Sequence, residues 1–104
     1  MIYKVKAKFN YSKAIDYYEK LNNGTIQSQK PDGYEIINAM NRATIDNEGY
    51  VNWTELCFCS TPLKHERETV YDKYFTELET ESIIKHHLFE GQSFIDKLKA
   101  LVNT

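Results

Sequence analysis

The strongest constraint on the fold is a strict two-residue alternation at the start of the chain. Between residues 2 and 9, every second position is apolar or aromatic, and the three positions between them are lysine. The apolar positions are Tyr3, Val5, Ala7 and Phe9. Because successive side chains of a strand point to opposite faces of a sheet, this pattern predicts a strand with one face in the core and one in water.

Helical periodicity in three other segments predicts the layer that covers the sheet. Ser12 is the expected N-cap of a first helix, which ends at Gly24 because glycine tolerates the left-handed conformation that follows a helix. Asp32, with Glu35 at capping-box spacing, predicts a short second helix, and a strand is the alternative there. A final helix is predicted after Gly91.

A hairpin is predicted around the turn residues 46–49. The turn separates residues 43–45 from residues 50–59, the most β-like segment of the chain. Alternation within this segment places five residues on one face: Val51, Trp53, Glu55, Cys57 and Cys59. Neither face is cleanly polar, so we expect a central strand or one that is covered on both sides.

The segment after the hairpin has two competing signals. Thr61-Pro62 is typical of a helix start, because proline at the first helical position loses no hydrogen bond. Apolar residues at helical spacing then predict a helix over 62–78, whereas residues 69–71 and 74–76 have high strand propensity. If residues 66–80 form a strand instead, the topology changes but the class does not. Residues 80–88 are ambiguous and are expected to hold the last strand.

The predicted order of elements is β, α, short α, β, β, α, β, α. A chain of 104 residues with this order is expected to form one α+β domain over residues 1–104. The expected architecture is a small antiparallel sheet covered on one face by helices. We expect a split βαβ (ferredoxin-like) layout with an added helix.

Composition argues against several classes of function. Thirteen basic and fifteen acidic side chains give a net charge of −2, so no nucleic-acid binding is expected. No apolar run approaches the roughly 20 residues that span a bilayer, so no membrane association is expected. The start of the chain carries no export signal, which predicts a cytoplasmic protein with reduced thiols. The four scattered glycines form no nucleotide-binding motif.

The densest group of chemically active side chains is Cys57-x-Cys59 followed by His65. Zinc prefers four nitrogen or sulfur ligands, and these three residues with His86 or His87 would supply them. A C-x-C pair on an extended strand does not wrap a metal, however. Packing of two small side chains is therefore the favoured interpretation, and no metal or cofactor is expected.

One pocket is predicted over residues 53–67, which contain the only tryptophan, both cysteines and a nearby histidine. Glu55 alternates in phase with Trp53 and Cys57, and apolar surroundings disfavour a charged carboxylate there. A costly residue in a central strand often has a functional reason. The expected lining residues are Trp53, Glu55, Cys57 and Cys59, with His65 and Arg67 at the rim. The acidic run over residues 66–81 is instead typical of a solvated helix face.

These observations favour a non-enzymatic binding or interaction domain with a small ligand or a protein as its partner. Because helices cover one sheet face only, the open face is expected to mediate self-association into a homo-oligomer. The alternative is a small enzyme, or a metal or thiol protein, that uses Glu55, Cys57, Cys59 and His65.

Overall fold

A computed structural model describes residues 1–103 as five strands and four helices. The strands are β1 (Ile2–Phe9), β2 (Thr44–Ile45), β3 (Tyr50–Leu56), β4 (Phe75–Ile83) and β5 (Gln92–Ser93). The helices are α1 (Ala14–Asn22), α2 (Gly33–Arg42), α3 (residues 64–74) and α4 (Phe94–Val102). Within α3, the π-helical turn Arg67–Tyr71 separates two short α-helical turns. Among the described residues, no helix is long and apolar enough to cross a membrane.

The five strands form one open antiparallel sheet in the order β4-β1-β3-β2-β5. β1 lies between β3 and β4, so that Val5 is opposite Trp53 on one side and Thr80 on the other. The predictions of a strand over residues 2–9 and of a hairpin formed by β2 and β3 are confirmed.

An aromatic core joins the sheet to the helices. The ring of Phe9 lies 5.0 Å from that of Phe94 and 5.5 Å from that of Phe75, measured between centroids. Tyr71 of α3 lies 5.2 Å from Trp53 of β3. Helices α1 and α2 contribute further buried residues to the same core: Ala14, Tyr17, Leu21, Ile36, Ala39 and Met40. The α+β class, with an antiparallel sheet packed against helices, is therefore confirmed.

The opposite face of the sheet carries the lysines of β1 and is crossed by the segment 84–91. Because β4 and β5 lie at opposite edges, the chain between them has to pass across the sheet. Thr54 Oγ1 and His86 Nδ1 share a hydrogen bond of 2.7 Å, and Lys4 Nζ lies 5.7 Å from the ring centroid of Phe89. Part of the face that was expected to be open is thus covered by the chain itself.

The predicted helix over 62–78 is too long at both ends. Pro62 precedes the helix, Leu63 has a left-handed backbone with φ of 55°, and the helical turns begin at Lys64. The helix ends at Tyr74 because Phe75 pairs with Phe9 in β1. Strand propensity therefore prevails over helical periodicity once a partner strand is available.

Two details of the other helices differ from expectation. Ser12 lies inside a single 3-10 turn, Tyr11–Lys13, that precedes α1. The cap of this turn is Asn10, whose Oδ1 accepts a hydrogen bond of 3.1 Å from the Ser12 amide. Helical spacing of Ala14, Ile15, Tyr18 and Leu21 predicts that these residues form the buried face of α1, whereas in the structure Ile15 is exposed and Tyr17 is buried. The second and final helices are confirmed, and Ser93 Oγ accepts a hydrogen bond from the Asp96 amide at the start of α4.

The ferredoxin-like layout is not confirmed. The sheet has a fifth strand, β5, which pairs with β2 through Thr44 and Ser93 and extends the sheet beyond the four predicted strands.

Trp53 is fully buried at the centre of this core, so Trp53→Ala is expected to lower the free energy of unfolding by about 3–5 kcal/mol. The matched control is Phe58→Ala, which removes an exposed ring and is expected to change stability by less than about 0.5 kcal/mol. Urea unfolding measures both changes. A native fluorescence maximum equal to that of free tryptophan would contradict the burial of Trp53.

Candidate functional site

The candidate site begins where β3 ends. Cys57 still pairs with the start of the chain: its amide donates to Met1 O at 2.9 Å, and the Met1 amino group donates to Cys57 O at 3.1 Å. The backbone then turns, and the Cys59 amide donates to Cys57 Sγ at 3.2 Å. The two thiols therefore do not lie on one extended strand, as the sequence had suggested, because the chain bends around the Cys57 sulfur.

Helix α3 brings Glu66 to these thiols. The left-handed backbone of Leu63 turns the chain so that Glu66, in the first helical turn, points inwards and is only 2% exposed. Its Oε1 accepts hydrogen bonds from Cys57 Sγ at 3.7 Å and from Cys59 Sγ at 3.5 Å. In the part of the chain that the structure describes, Glu66 forms no ion pair.

The start of α2 contributes two further carboxylates. Asp32 Oδ2 lies 2.5 Å from His65 Nδ1, and this hydrogen bond raises the pKa of His65. Asp32 was predicted to cap α2, but its side chain makes no cap hydrogen bond. Glu35 Oε2 accepts hydrogen bonds from Arg42 at 3.2 Å and from the Leu56 amide at 2.8 Å. Glu35 is thus paired with a cation, and Asp32 with one when His65 is protonated, whereas the hydrogen bonds to Glu66 come from thiols.

These segments enclose a cavity of about 320 Å³. Its walls come from the start of α2, the end of β3, residues 57–59 and the first turn of α3. Its lining combines thiols and carboxylates with three apolar side chains: Pro31, Leu56 and Phe58. We call this cavity, with Cys57, Cys59 and Glu66 as its inner wall, the thiol–carboxylate cavity.

The structure brings three of the six predicted site residues together. Cys57, Cys59 and His65 line the thiol–carboxylate cavity. Trp53 and Glu55 are not among its lining residues and lie buried in the core. Arg67 does not line it either, and its Nε lies 3.4 Å from Asp72.

Sequence reasoning missed Asp32, Glu35 and Glu66. The first two resemble a capping pair, and Glu66 is part of an acidic run that indicates a solvated helix face. Glu66 is buried because the left-handed backbone of Leu63 orients α3 toward the core, and no local sequence pattern predicts this orientation.

Glu55 forms a separate buried polar group inside the core. Its Oε1 accepts hydrogen bonds from Trp53 Nε1 at 2.9 Å and from Tyr71 OH at 2.5 Å. Its Oε2 has no hydrogen-bond partner among the described residues. Burial raises the pKa of Glu55 well above its ordinary value, because the apolar surroundings disfavour the charged form.

The Cys57 thiol is not prepared for nucleophilic attack. Burial raises its pKa to about 12, although the backbone amides of Cys59 and Leu63, aimed at the sulfur, oppose part of this increase. Since the thiolate is the reactive form, a thiol with this pKa is a poor nucleophile at neutral pH.

Comparison with known proteins gives no match for this chain. No protein-family model fits it, and neither the curated proteins nor the solved structures contain a significant relative. The function of the protein is therefore inferred from the geometry of the site.

The raised pKa of Glu55 predicts that stability falls as the pH rises. The folded state keeps a proton that the unfolded state releases near pH 4.3, so stability is fully present below about that pH and is lost toward the folded pKa. The expected slope is about 1.4 kcal/mol per pH unit within this window. Glu55→Gln keeps an acceptor for Trp53 and Tyr71 and removes the titration.

Urea unfolding from pH 5 to pH 8 measures this contribution. The Glu55→Gln protein is expected to fold and to have a flatter pH profile than the wild type, whereas Glu90→Gln, a change at an exposed acid, leaves the profile unaltered. Identical profiles for the wild type and Glu55→Gln would show that Glu55 is charged in the folded protein.

Proposed function

We propose that the protein is a non-enzymatic binding domain that takes a positively charged ligand in the thiol–carboxylate cavity. The observation that carries this proposal is the buried carboxylate of Glu66, which has no ionic partner. A buried carboxylate is costly unless it is paired or coordinates a cation.

The charges around the cavity favour a cation over an anion. Asp32, Glu35 and Glu66 supply three carboxylates. Arg42 offsets one of them, and His65 offsets a second when it is protonated. The third carboxylate, Glu66 at the inner wall, has no such cation beside it among the described residues.

The mouth of the cavity is suited to an apolar body attached to the cation. Phe58 is 86% exposed, and it lines the cavity beside Leu56 and Pro31. An exposed aromatic face next to carboxylates can bind an organic ammonium group by cation–π attraction and burial of its apolar part.

The same residues favour binding over catalysis. The pKa of Cys57 is raised to about 12, so its thiol is protonated at neutral pH. His65 Nδ1 is hydrogen-bonded to Asp32, so this ring nitrogen does not take a proton from a substrate. The alternative stays a small enzyme, or a metal or thiol protein, that uses Glu55, Cys57, Cys59 and His65.

Amide chemical shifts measured by NMR test the proposed cation preference. With a chelator present, benzylamine is expected to shift the amides of residues 32–35, 56–59 and 65–66, whereas benzoate, of the same size and opposite charge, leaves them unchanged. Glu66→Gln is expected to remove the benzylamine shifts, and Glu68→Gln to retain them. Equal shifts from both probes, or none from benzylamine, would overturn the proposal.

The second candidate function is self-association through the sheet face opposite the helices. Ile84 and Leu88 favour it, because these apolar side chains on the crossing segment are 97% and 75% exposed. Sedimentation over a wide range of protein concentration is expected to show a dimer that Ile84→Asp dissociates. A wild-type monomer at all concentrations would contradict this candidate.

We also propose a split βαβ arrangement for β1 to β4, since β3 lies between β1 and β2, and β1 lies between β3 and β4.

We propose the reducing cytoplasm as the location of the protein, because Cys57 and Cys59 are both free thiols.

A further inference from the structure

We propose that the inner wall of the thiol–carboxylate cavity binds a thiophilic divalent metal ion of the zinc class. The ligands are Cys57 Sγ, Cys59 Sγ and a carboxylate oxygen of Glu66. This inference rests on the proposed function, since it names a cation that the inner wall binds. The sequence pattern, in contrast, predicts that both cysteines are packing residues.

The spacing of the three ligand atoms fits tetrahedral coordination. With Zn–S near 2.3 Å and Zn–O near 2.0–2.2 Å, the sulfur–oxygen edge of a tetrahedron is about 3.6 Å. The corresponding distances to Glu66 Oε1 are 3.7 Å from Cys57 and 3.5 Å from Cys59. All three ligand atoms lie within 4.8 Å of one another. A metal ion therefore fits between them without a large movement of the backbone.

The backbone around Cys57 also suits a metal-bound thiolate. The amide of Cys59 donates to Cys57 Sγ at 3.2 Å, and the amide of Leu63 is directed at the same sulfur. Hydrogen bonds to a ligating sulfur stabilise its negative charge and fix its orientation. The objection that a C-x-C pair cannot wrap a metal applies to an extended strand, and β3 ends at Leu56.

Two sulfur ligands select the class of metal. Thiolates prefer soft or borderline ions such as Zn²⁺, whereas Mg²⁺ and Ca²⁺ prefer oxygen ligands. Binding involves no oxidation: each ligating thiol releases its proton to solvent, and the metal takes the place of the two protons that now lie between sulfur and Glu66.

Asp32 and His65 form a supporting pair next to the ligands. The ligand atoms of Asp32, His65 and Glu66 also lie within 4.8 Å of one another, so Glu66 belongs to both groups. In metal sites a carboxylate commonly accepts a hydrogen bond from a histidine and orients its ring. Three ligands leave a fourth coordination position for a water molecule or a ligand atom from the cavity.

A titration with Co²⁺ and Zn²⁺ tests the proposal. Reduced protein freed of metal by a chelator is titrated with Co²⁺ under anaerobic conditions. We expect one equivalent to bind, with a sulfur-to-cobalt charge-transfer band and the visible bands of tetrahedral Co²⁺. Zn²⁺ is expected to displace the cobalt, whereas excess Mg²⁺ is not. A spectrum without the charge-transfer band would overturn the proposal.

Variants identify the ligands. Loss of a residue that only supports a metal ligand commonly weakens metal binding 10–100-fold, and loss of a ligand itself is expected to cost at least as much. Cys59→Ser and Glu66→Gln alter ligands, so each is expected to weaken Zn²⁺ binding by at least about 10-fold. Glu68→Gln, two residues further along α3 and exposed, is the matched control and is expected to leave the affinity unchanged. Unchanged affinity in both ligand variants would overturn the assignment.

A measurement on the wild-type protein covers the case in which a variant does not fold. Zn²⁺ is expected to slow the alkylation of Cys59, the more exposed of the two thiols, by a maleimide at least about 10-fold, and mass spectrometry of the peptides measures this rate. Equal alkylation rates with and without Zn²⁺ would overturn the metal site. The benzylamine titration contains a chelator, so it tests the cation-binding cavity independently of the metal.

Discussion

The pairing of β1 with two long neighbours is the constraint on which the other elements depend. β1 is hydrogen-bonded to β3 along one edge and to β4 along the other. Pairing of Phe9 with Phe75 requires an extended backbone at Phe75, so α3 ends before it. With β1 and β3 inside the sheet, β4 and β5 become its edges, and the segment 84–91 has to cross the lysine-bearing face.

Two buried carboxyl groups then acquire different roles from their surroundings. Glu55 is enclosed in the core, where Trp53 and Tyr71 donate to one oxygen and burial raises its pKa by disfavouring the charged form. Glu66 lies at a cavity and contacts two thiols without an ionic partner. The first arrangement stabilises a core, whereas the second is arranged for a ligand that brings positive charge.

Part of the candidate site was accessible to sequence reasoning. Cys57, Cys59 and His65 are close along the chain, and their chemistry made them candidates before their positions were known. Glu55 was expected to be costly in a central strand, and it is buried, but in the core behind the cavity. Glu66 was missed because a glutamate in an acidic run has no local sign of burial.

The sequence by itself determined the elements whose periodicity is unambiguous. The alternation over residues 2–9, the turn at 46–49 and the apolar stripe after Gly91 each encode a local structure, because side-chain direction repeats every two residues in a strand and about every 3.6 in a helix. Only the tertiary structure decided that α3 stops at Tyr74 and that Glu66 meets the thiols. The end of α3 depends on the pairing of β4 with β1, and the position of Glu66 depends on how the chain turns at Leu63. Periodicity within a segment carries no information about strand pairing or about the direction of the next helix.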